Sequence, residues 1–372
     1  MFARVIYAVN WYNFAAIFAM VARDMNQNIT GLGIAVGSFY FGVGLFQVPG
    51  GLLAAKIGPK RTSVLGTTLA SAAAMLMCVA TSFSQLIVLR FFVGVGMAFV
   101  FAPAVILVAR YFRERAEGFS VGLFNAALYL GGALGVFVWA VLADAWGWRE
   151  SLALSGGLGL FTVVLMLRFI PQDSIRENFA MDLTEIRKIL ANRWLFLLSM
   201  GLFGANGFST LVTAFMVFYL ERSESLSATL AGGVGALALL GSLISSPLFG
   251  MLHDRIHQPS RLVFLCGLLG IVGLEVASIA SVWAAAIAGL VAGFASGGVF
   301  TVCFSAAREI AHAEYAPLAV SCINSLQQFA GFIFPPIFSR TVLTLGFSSA
   351  WFLSGLYIFP FTATVLLTKL KG

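Results

Sequence analysis

Residues 31–61 read GLGIAVGSFYFGVGLFQVPGGLLAAKIGPKR, and residues 230–257 read LAGGVGALALLGSLISSPLFGMLHDRIH. Each is a helix-length apolar run closed by a basic turn, and about 20 mostly apolar residues suffice to cross a bilayer as a helix. Laid over one another at an offset of 199 residues, Gly33, Gly42 and Gly51 fall on Gly232, Gly241 and Gly250, and Lys56 falls on Arg255. The same offset, without a gap, carries Gly94, Gly132, Gly147 and Gly156 onto Gly293, Gly331, Gly346 and Gly355, and Asn125 onto Asn324. It also superposes Leu154-Ser155-Gly156 on Leu353-Ser354-Gly355. Chance would give about two glycine matches, against the seven found, so the chain is an internal duplication. Small residues at matching places mark helix contacts in lipid, where backbones approach closely.

Composition agrees with a membrane solvent. Hydrophobic residues make up 60% of the chain and charged residues 10%, where a soluble domain carries about 25% charged. A soluble fold of this length has too little interior to hide so much apolar surface. Twelve spans are expected, at 2–22, 30–55, 62–82, 86–109, 119–142, 151–170, 194–220, 227–252, 262–280, 283–306, 318–340 and 350–368. The first span runs too long for a signal-peptide core and lacks a small-residue cleavage site. Cys78, Cys266, Cys303 and Cys322 lie in apolar runs without metal-ligand spacing, which makes them small buried hydrophobes. No metal or cofactor is expected.

The net charge of +7 is not a nucleic-acid face, because Lys and Arg punctuate the spans. With the N-terminus inside, 17 of them flank the spans on the cytoplasmic side and four (Arg23, Arg149, Arg222, Arg340) on the outer side. That bias places both termini in the cytoplasm. The longest polar segment follows the sixth span. The expected organisation is therefore a six-helix bundle over 1–171, a cytoplasmic linker over 172–193, and a second six-helix bundle over 194–372. Apolar residues at 183, 186, 189 and 190 have helical spacing, which fits either an amphipathic helix at the inner membrane surface or a solvated tether.

The turn Gly51-Leu-Leu-Ala-Ala55-Lys56-Ile-Gly58-Pro59-Lys60-Arg61 resembles the loop signature of the major facilitator superfamily (Gly, three residues, Asp, a basic residue, one residue, Gly, then basic residues). Ala55 departs from the pattern, whereas the second copy, Gly250-Met-Leu-His-Asp254-Arg255, keeps its acid. Arg90-Phe-Phe-Val-Gly94-Val-Gly96-Met-Ala98 and Gly147-Trp148-Arg149 are similar to further patterns of that family. The resemblance covers essentially the whole chain. It implies an all-α membrane protein of twelve transmembrane helices, built as two pseudo-symmetric six-helix bundles that rock about a central site; the repeat axis along the membrane normal is a known property of these transporters. It also implies that Gly51, Lys56, Gly58, Lys60 and Arg61, with Gly250, Asp254 and Arg255, form conformational gating loops. The fifth span, around Gly131, Gly132 and Gly135, lacks the Gly-Pro core of the family's proton-driven drug antiporters.

Charge within a span is costly and usually functional. Arg90 falls about 7 Å inside the fourth span at 1.5 Å per residue, where it either binds a substrate anion through its planar fork or snorkels to the interface. Glu275 and Arg340 fit interfacial solvation. Asn10, Asn13, Asn125, Tyr129, Asn206, Asn324, Gln327 and Gln328 lie on spans that the resemblance assigns to the cavity. They are either substrate-binding amides and hydroxyls or interhelical hydrogen-bond partners. Asn125 and Asn324 are favoured because the repeat predicts facing positions for them. The cavity-lining spans, as bounded above, carry no Asp or Glu, and His253, His257 and His312 are expected in cytoplasmic loops. These features lead to an expected non-enzyme: a monomeric plasma-membrane carrier of a small organic or inorganic anion, without a carboxylate proton relay. Efflux of hydrophobic compounds is the alternative. An intramembrane enzyme lacks its Ser–His or metal cluster, and no loop is large enough for a receptor's signalling domain.

Overall fold

The computed structural model describes residues 1–111, 117–171, 187–188, 191–256 and 258–367. The helices are α1 (Phe2–Asp24), α2 (Ile29–Ile57), α3 (Pro59–Leu76), α4 (Phe83–Tyr111), α5 (Glu117–Trp146) and α6 (Trp148–Phe169). They continue as α7 (Arg193–Ser223), α8 (Ala228–Ile256), α9 (Pro259–Ala277), α10 (Val282–Ile310) and a last helical run, His312–Ala363. That run is two helices in one. Gly346, with φ 80 and ψ 171, breaks it into α11 (312–345) and α12 (347–363). Its repeat partner Gly147 stands between α5 and α6 with φ 103 and ψ 157. Glycine is needed at both, because a side chain is strained at positive φ.

Local chemistry sets the other helix starts. The Asn28 side chain accepts from Thr30 N at 2.9 Å to cap α2, and Asn192 accepts from Trp194 N at 2.9 Å to cap α7. The Ser281 hydroxyl accepts from Ala284 N at 3.1 Å to cap α10. Each satisfies amides that the first helical turn leaves without partners. Most helices outrun their predicted spans by a turn or so, which carries Asp24, Asp144, Glu221 and Glu309 into terminal helical turns. The expected absence of carboxylates therefore holds for the shorter spans and not for the helices. The expected amphipathic linker helix falls mostly on residues outside those described.

The repeat is visible in the packing. A methyl group added to Gly42 would strike Phe91 O in α4, and one added to Gly241 would strike Leu290 O in α10. Gly94 and Gly293 are equally closed, by Phe39 O and Ala238 O. All four contacts follow the offset of 199. So do the seams between halves: a Gly33 methyl would sit 2.8 Å from Pro335 O in α11, and a Gly232 methyl 3.2 Å from Val136 O in α5. The halves thus meet along α2 with α11 and along α5 with α8, with α1 against α7. At the end away from the termini the rings of Phe18 and Phe218 meet at a tilt, with centroids 5.7 Å apart. Exposed Phe161, Val164 and Leu167 of α6 and Phe352, Leu356 and Phe359 of α12 form an apolar outer wall suited to lipid.

Candidate functional site

Arg90 sits in α4, seven residues past its start at Phe83, or about 10 Å along the axis at 1.5 Å per residue. It is 2% exposed, so it does not snorkel. Its guanidinium carbon lies 4.8 Å from the Phe14 ring centroid and 4.4 Å from that of Phe39. Aromatic faces accommodate the cation's charge but leave its N–H fork unspent. Nε and Nη1 have no acceptor. The charged neighbours that would normally accompany a buried guanidinium are missing among the described residues, and the group acting on it is the Tyr40 phenol.

Tyr40 is where the halves converge. Its hydroxyl accepts from Trp11 Nε1 at 3.2 Å and lies near the Thr210 hydroxyl of α7, while its ring packs on Gly331 of α11. One turn from Thr210, Asn206 donates Nδ2–H to Gln327 O at 2.8 Å. Asn324 Oδ1 accepts from Gln327 Nε2 at 2.6 Å and from Gln328 Nε2 at 3.4 Å. The Oε1 atoms of both glutamines remain buried without donors. A cationic donor site in the first half therefore stands across Tyr40 from an amide cluster in the second. Buried polar atoms without partners are few in native proteins and call for an explanation, an absent ligand among them.

The remaining candidates scatter. Asn10 donates to Ile6 O at 3.2 Å and Ser155 O at 3.3 Å, tying α1 to α6. Asn13 is 1% exposed and both its amide atoms lack partners. Tyr129 lies near the Ser246 hydroxyl of α8, and Asn125 lies one turn away, half-buried. The structure places Tyr129 in the α5–α8 seam and Gln328 beside Gly44 of α2 in the symmetric α2–α11 seam. Nothing described brings Asn125 and Asn324 into contact.

In the basic turn, Gly58 has φ 92, Gly51 is buried, and Lys56 and Arg61 are exposed. Lys60 donates to Leu167 O at 3.2 Å and to Ile170 O, capping the last turn of α6. Ala55 lies in α2, its side chain outside the described set. In the second copy Gly250 is loosely packed, and Asp254 and Arg255 are exposed. His253 is not in a loop. It belongs to α8, is buried, and its Nε2 meets Glu309 Oε1 of α10 at 3.0 Å. His312 opens α11 with its side chain outside the described set, and His257 lies outside the described residues altogether.

Arg4 is the residue that sequence reasoning misplaced. Counted among the flanking cytoplasmic charges, it is 5% exposed inside α1. Its proximity to an aromatic-rich stretch, Tyr7-Ala-Val-Asn-Trp11-Tyr12, was the available signal.

The family model described as Major Facilitator Superfamily matches residues 1–335 and 211–370. A probable sulfoacetate transporter of Cupriavidus necator is 24% identical over 66% of this chain and 61% of its own length, so the match spans less than two thirds of that relative. An agnestins efflux protein of Paecilomyces divaricatus is 23% identical over 86% of this chain and 74% of its own. A 4-hydroxybenzoate transporter of Pseudomonas putida is 24% identical over 93% of this chain and 85% of its own. The solved structure of a bacterial homologue of the human lysosomal transporter Spinster, inward-facing and occupied, matches 98% of this chain and 92% of its own with a TM-score of 0.75 at 14% identity, which is a likeness of fold.

Proposed function

Because the chain belongs to the Major Facilitator Superfamily, we propose that it is a transporter that carries a small organic anion across the plasma membrane by alternating access. The observation that carries this is Arg90: a buried cation whose Nε and Nη1 have no acceptor and which, among the described residues, has no carboxylate beside it. A carboxylate or sulfonate headgroup supplies the missing acceptor for these N–H donors through charge-assisted hydrogen bonds. Tyr40 and the Asn206, Asn324, Gln327 and Gln328 cluster supply neutral donors and acceptors to the substrate's other end. Relatives named for sulfoacetate and 4-hydroxybenzoate support the same substrate class.

The termini are cytoplasmic in this reading, by the bias of basic residues, which stays 16 to 4 once buried Arg4 is left out of the flanking set. The bundles comprise 1–171 and 194–372 of a monomer that neither performs covalent chemistry nor binds nucleic acid. Asn125 and Asn13 belong to the path, and the Gly51–Arg61 and Gly250–Arg255 loops bias which face opens. Transport is facilitated diffusion or anion exchange, because the carboxylates among the described residues of the helices stand in terminal turns or, as with Glu275, on peripheral α9. The aromatic walls and the efflux-protein relative favour, as a second reading, export of hydrophobic compounds.

The test is uptake of labelled sulfoacetate, 4-hydroxybenzoate and glucarate into proteoliposomes. Saturable uptake of one of them, reduced at least tenfold by Arg90→Gln, is expected. Uptake that Arg90→Gln leaves unchanged rejects the role of Arg90, and accumulation driven by a pH gradient alone rejects uncoupled transport.

A further inference from the structure

Arg90 has a counterpart at a different depth. Arg4 is the third residue of α1, near the face that carries the termini, and it too is buried. Its guanidinium carbon lies 4.6 Å from the Tyr7 ring centroid, 4.3 Å from Phe124 of α5 and 5.6 Å from Phe101 of α4. Nε and Nη1 have no acceptor. The charged or polar groups acting on it are the phenols of Tyr7, Tyr12 and Tyr129, with no carboxylate among the described residues. A guanidinium held only to brace helices gains most by pairing with an acid or with helix-end carbonyls. This one is caged by ring faces, which tolerate its charge, with the Tyr7 hydroxyl beside it and Nε and Nη1 left without acceptors.

A wall of rings joins the two cations. Tyr7 and Trp11 have centroids 5.6 Å apart, and Trp11 meets Phe39 edge-on at 4.7 Å. Phe39 is the ring beneath Arg90. Arg4, Tyr7 and Trp11 share one stripe of α1 at spacings of three and four residues. From Arg4 to Phe14, the other ring against Arg90, the helix rises about 15 Å.

We propose that Arg4 is a second anion-binding station, on the terminus side of Arg90, and that the ring wall between them selects monoanions with a flat apolar body, of the arylcarboxylate type. The inference rests on the proposed use of Arg90 for anion transport and extends it. A single deep cationic site would retain its anion. Two sites of comparable strength at two depths let the headgroup pass from one fork to the other while the apolar body stays against rings, the same logic by which multi-site pores keep binding favourable yet reversible. A sugar dicarboxylate has no apolar body to lay on that wall.

The experiment measures KM for labelled 4-hydroxybenzoate from each side of the membrane, using vesicles of both orientations. Arg4→Gln is expected to raise the terminus-side KM at least tenfold and the opposite KM less than twofold. Arg4→Lys, which keeps charge and loses the fork, should raise the terminus-side value threefold or more. Arg90→Gln should raise both. Equal shifts on the two sides, or none, from Arg4→Gln overturn the second station while leaving the Arg90 assignment intact. Should Arg4→Gln fail to fold, a terminus-side change under twofold in Arg4→Lys overturns it instead. Wild-type uptake of glucarate in preference to 4-hydroxybenzoate overturns the selection by the ring wall. No uptake of any anion by the wild type rejects the proposed function itself, and the station with it.

Discussion

Asn26 and Ser225 stand 199 residues apart, and among the described residues they are the two non-glycine positions with left-handed backbones, at φ 50 and φ 54. They occupy the turns before α2 and α8. The duplication has therefore kept a backbone conformation where it has changed the side chain. Asparagine tolerates this region through local hydrogen bonding, whereas serine gains less from it. Ser225→Gly is expected to stabilise the protein by about 0.5–1 kcal/mol, and Asn26→Gly by less. Thermal unfolding of the purified variants in detergent measures both.

Glycine pairs in the seams carry a steeper expectation. Gly293→Ala forces a methyl against Ala238 O, so it should cost about 1–3 kcal/mol as other overpacked sites do. Gly157→Ala is the control, since nothing lies within 4 Å of its added methyl. Equal melting temperatures for the two variants would contradict the close approach of α8 and α10.

The Phe18–Phe218 contact, with centroids 5.7 Å apart, closes the halves at the end away from the termini. Replacing both by Cys, in a background where Cys78, Cys266, Cys303 and Cys322 are Ala, should allow a reducible bifunctional thiol reagent to join the halves. Uptake is expected to fall to background on crosslinking and to return on reduction. Uptake that persists through quantitative crosslinking would mean the two halves need not part there.

His253 and Glu309 link α8 to α10 within the second half. Their repeat positions are Ala54 and Arg110, so the first half has no such pair. Because Glu309 is 67% exposed, a double-mutant cycle with His253→Ala and Glu309→Ala should show a coupling below about 1 kcal/mol. His253→Ala alone should cost more, since it also empties a buried site.

On the opposite face Arg149 pairs with Asp24 and donates to Ala80 O at 3.3 Å. All three residues belong to the first half, so this clamp does not span the moving seam. Asp24→Asn is expected to change stability by less than about 1 kcal/mol and to leave the uptake KM within twofold. A larger change in KM would place the clamp in the gating cycle.

The duplication and the spans were legible because both are written in long-range periodic features: apolar length, basic turns and glycines at a fixed offset. The contacts of Gly33, Gly42, Gly94, Gly232, Gly241 and Gly293 then follow from geometry shared by the two copies. Depth and direction were less legible. Arg4 stands close to the N-terminus and reads as a flanking charge, because nothing local tells that Phe101 and Phe124, roughly a hundred residues on, fold over it. Asn10 and Asn13 differ by three residues and read alike. The Nδ2 of the first is spent on Ile6 O and Ser155 O while its Oδ1 stays unpaired, and both amide atoms of the second are left without partners. His253 reads as a loop residue because the apolar run weakens before the helix ends.

Gly147 and Gly346 reverse the chain on one residue each, and that sparing use of backbone leaves no slack between a seam helix and its lipid-facing neighbour. A tilt of α6 or α12 is handed directly to α5 or α11. Bilayer thickness thus becomes a mechanical input: a membrane that tips the outer wall pulls on the seam, so the same protein should turn over at different speeds in short-chain and long-chain lipids.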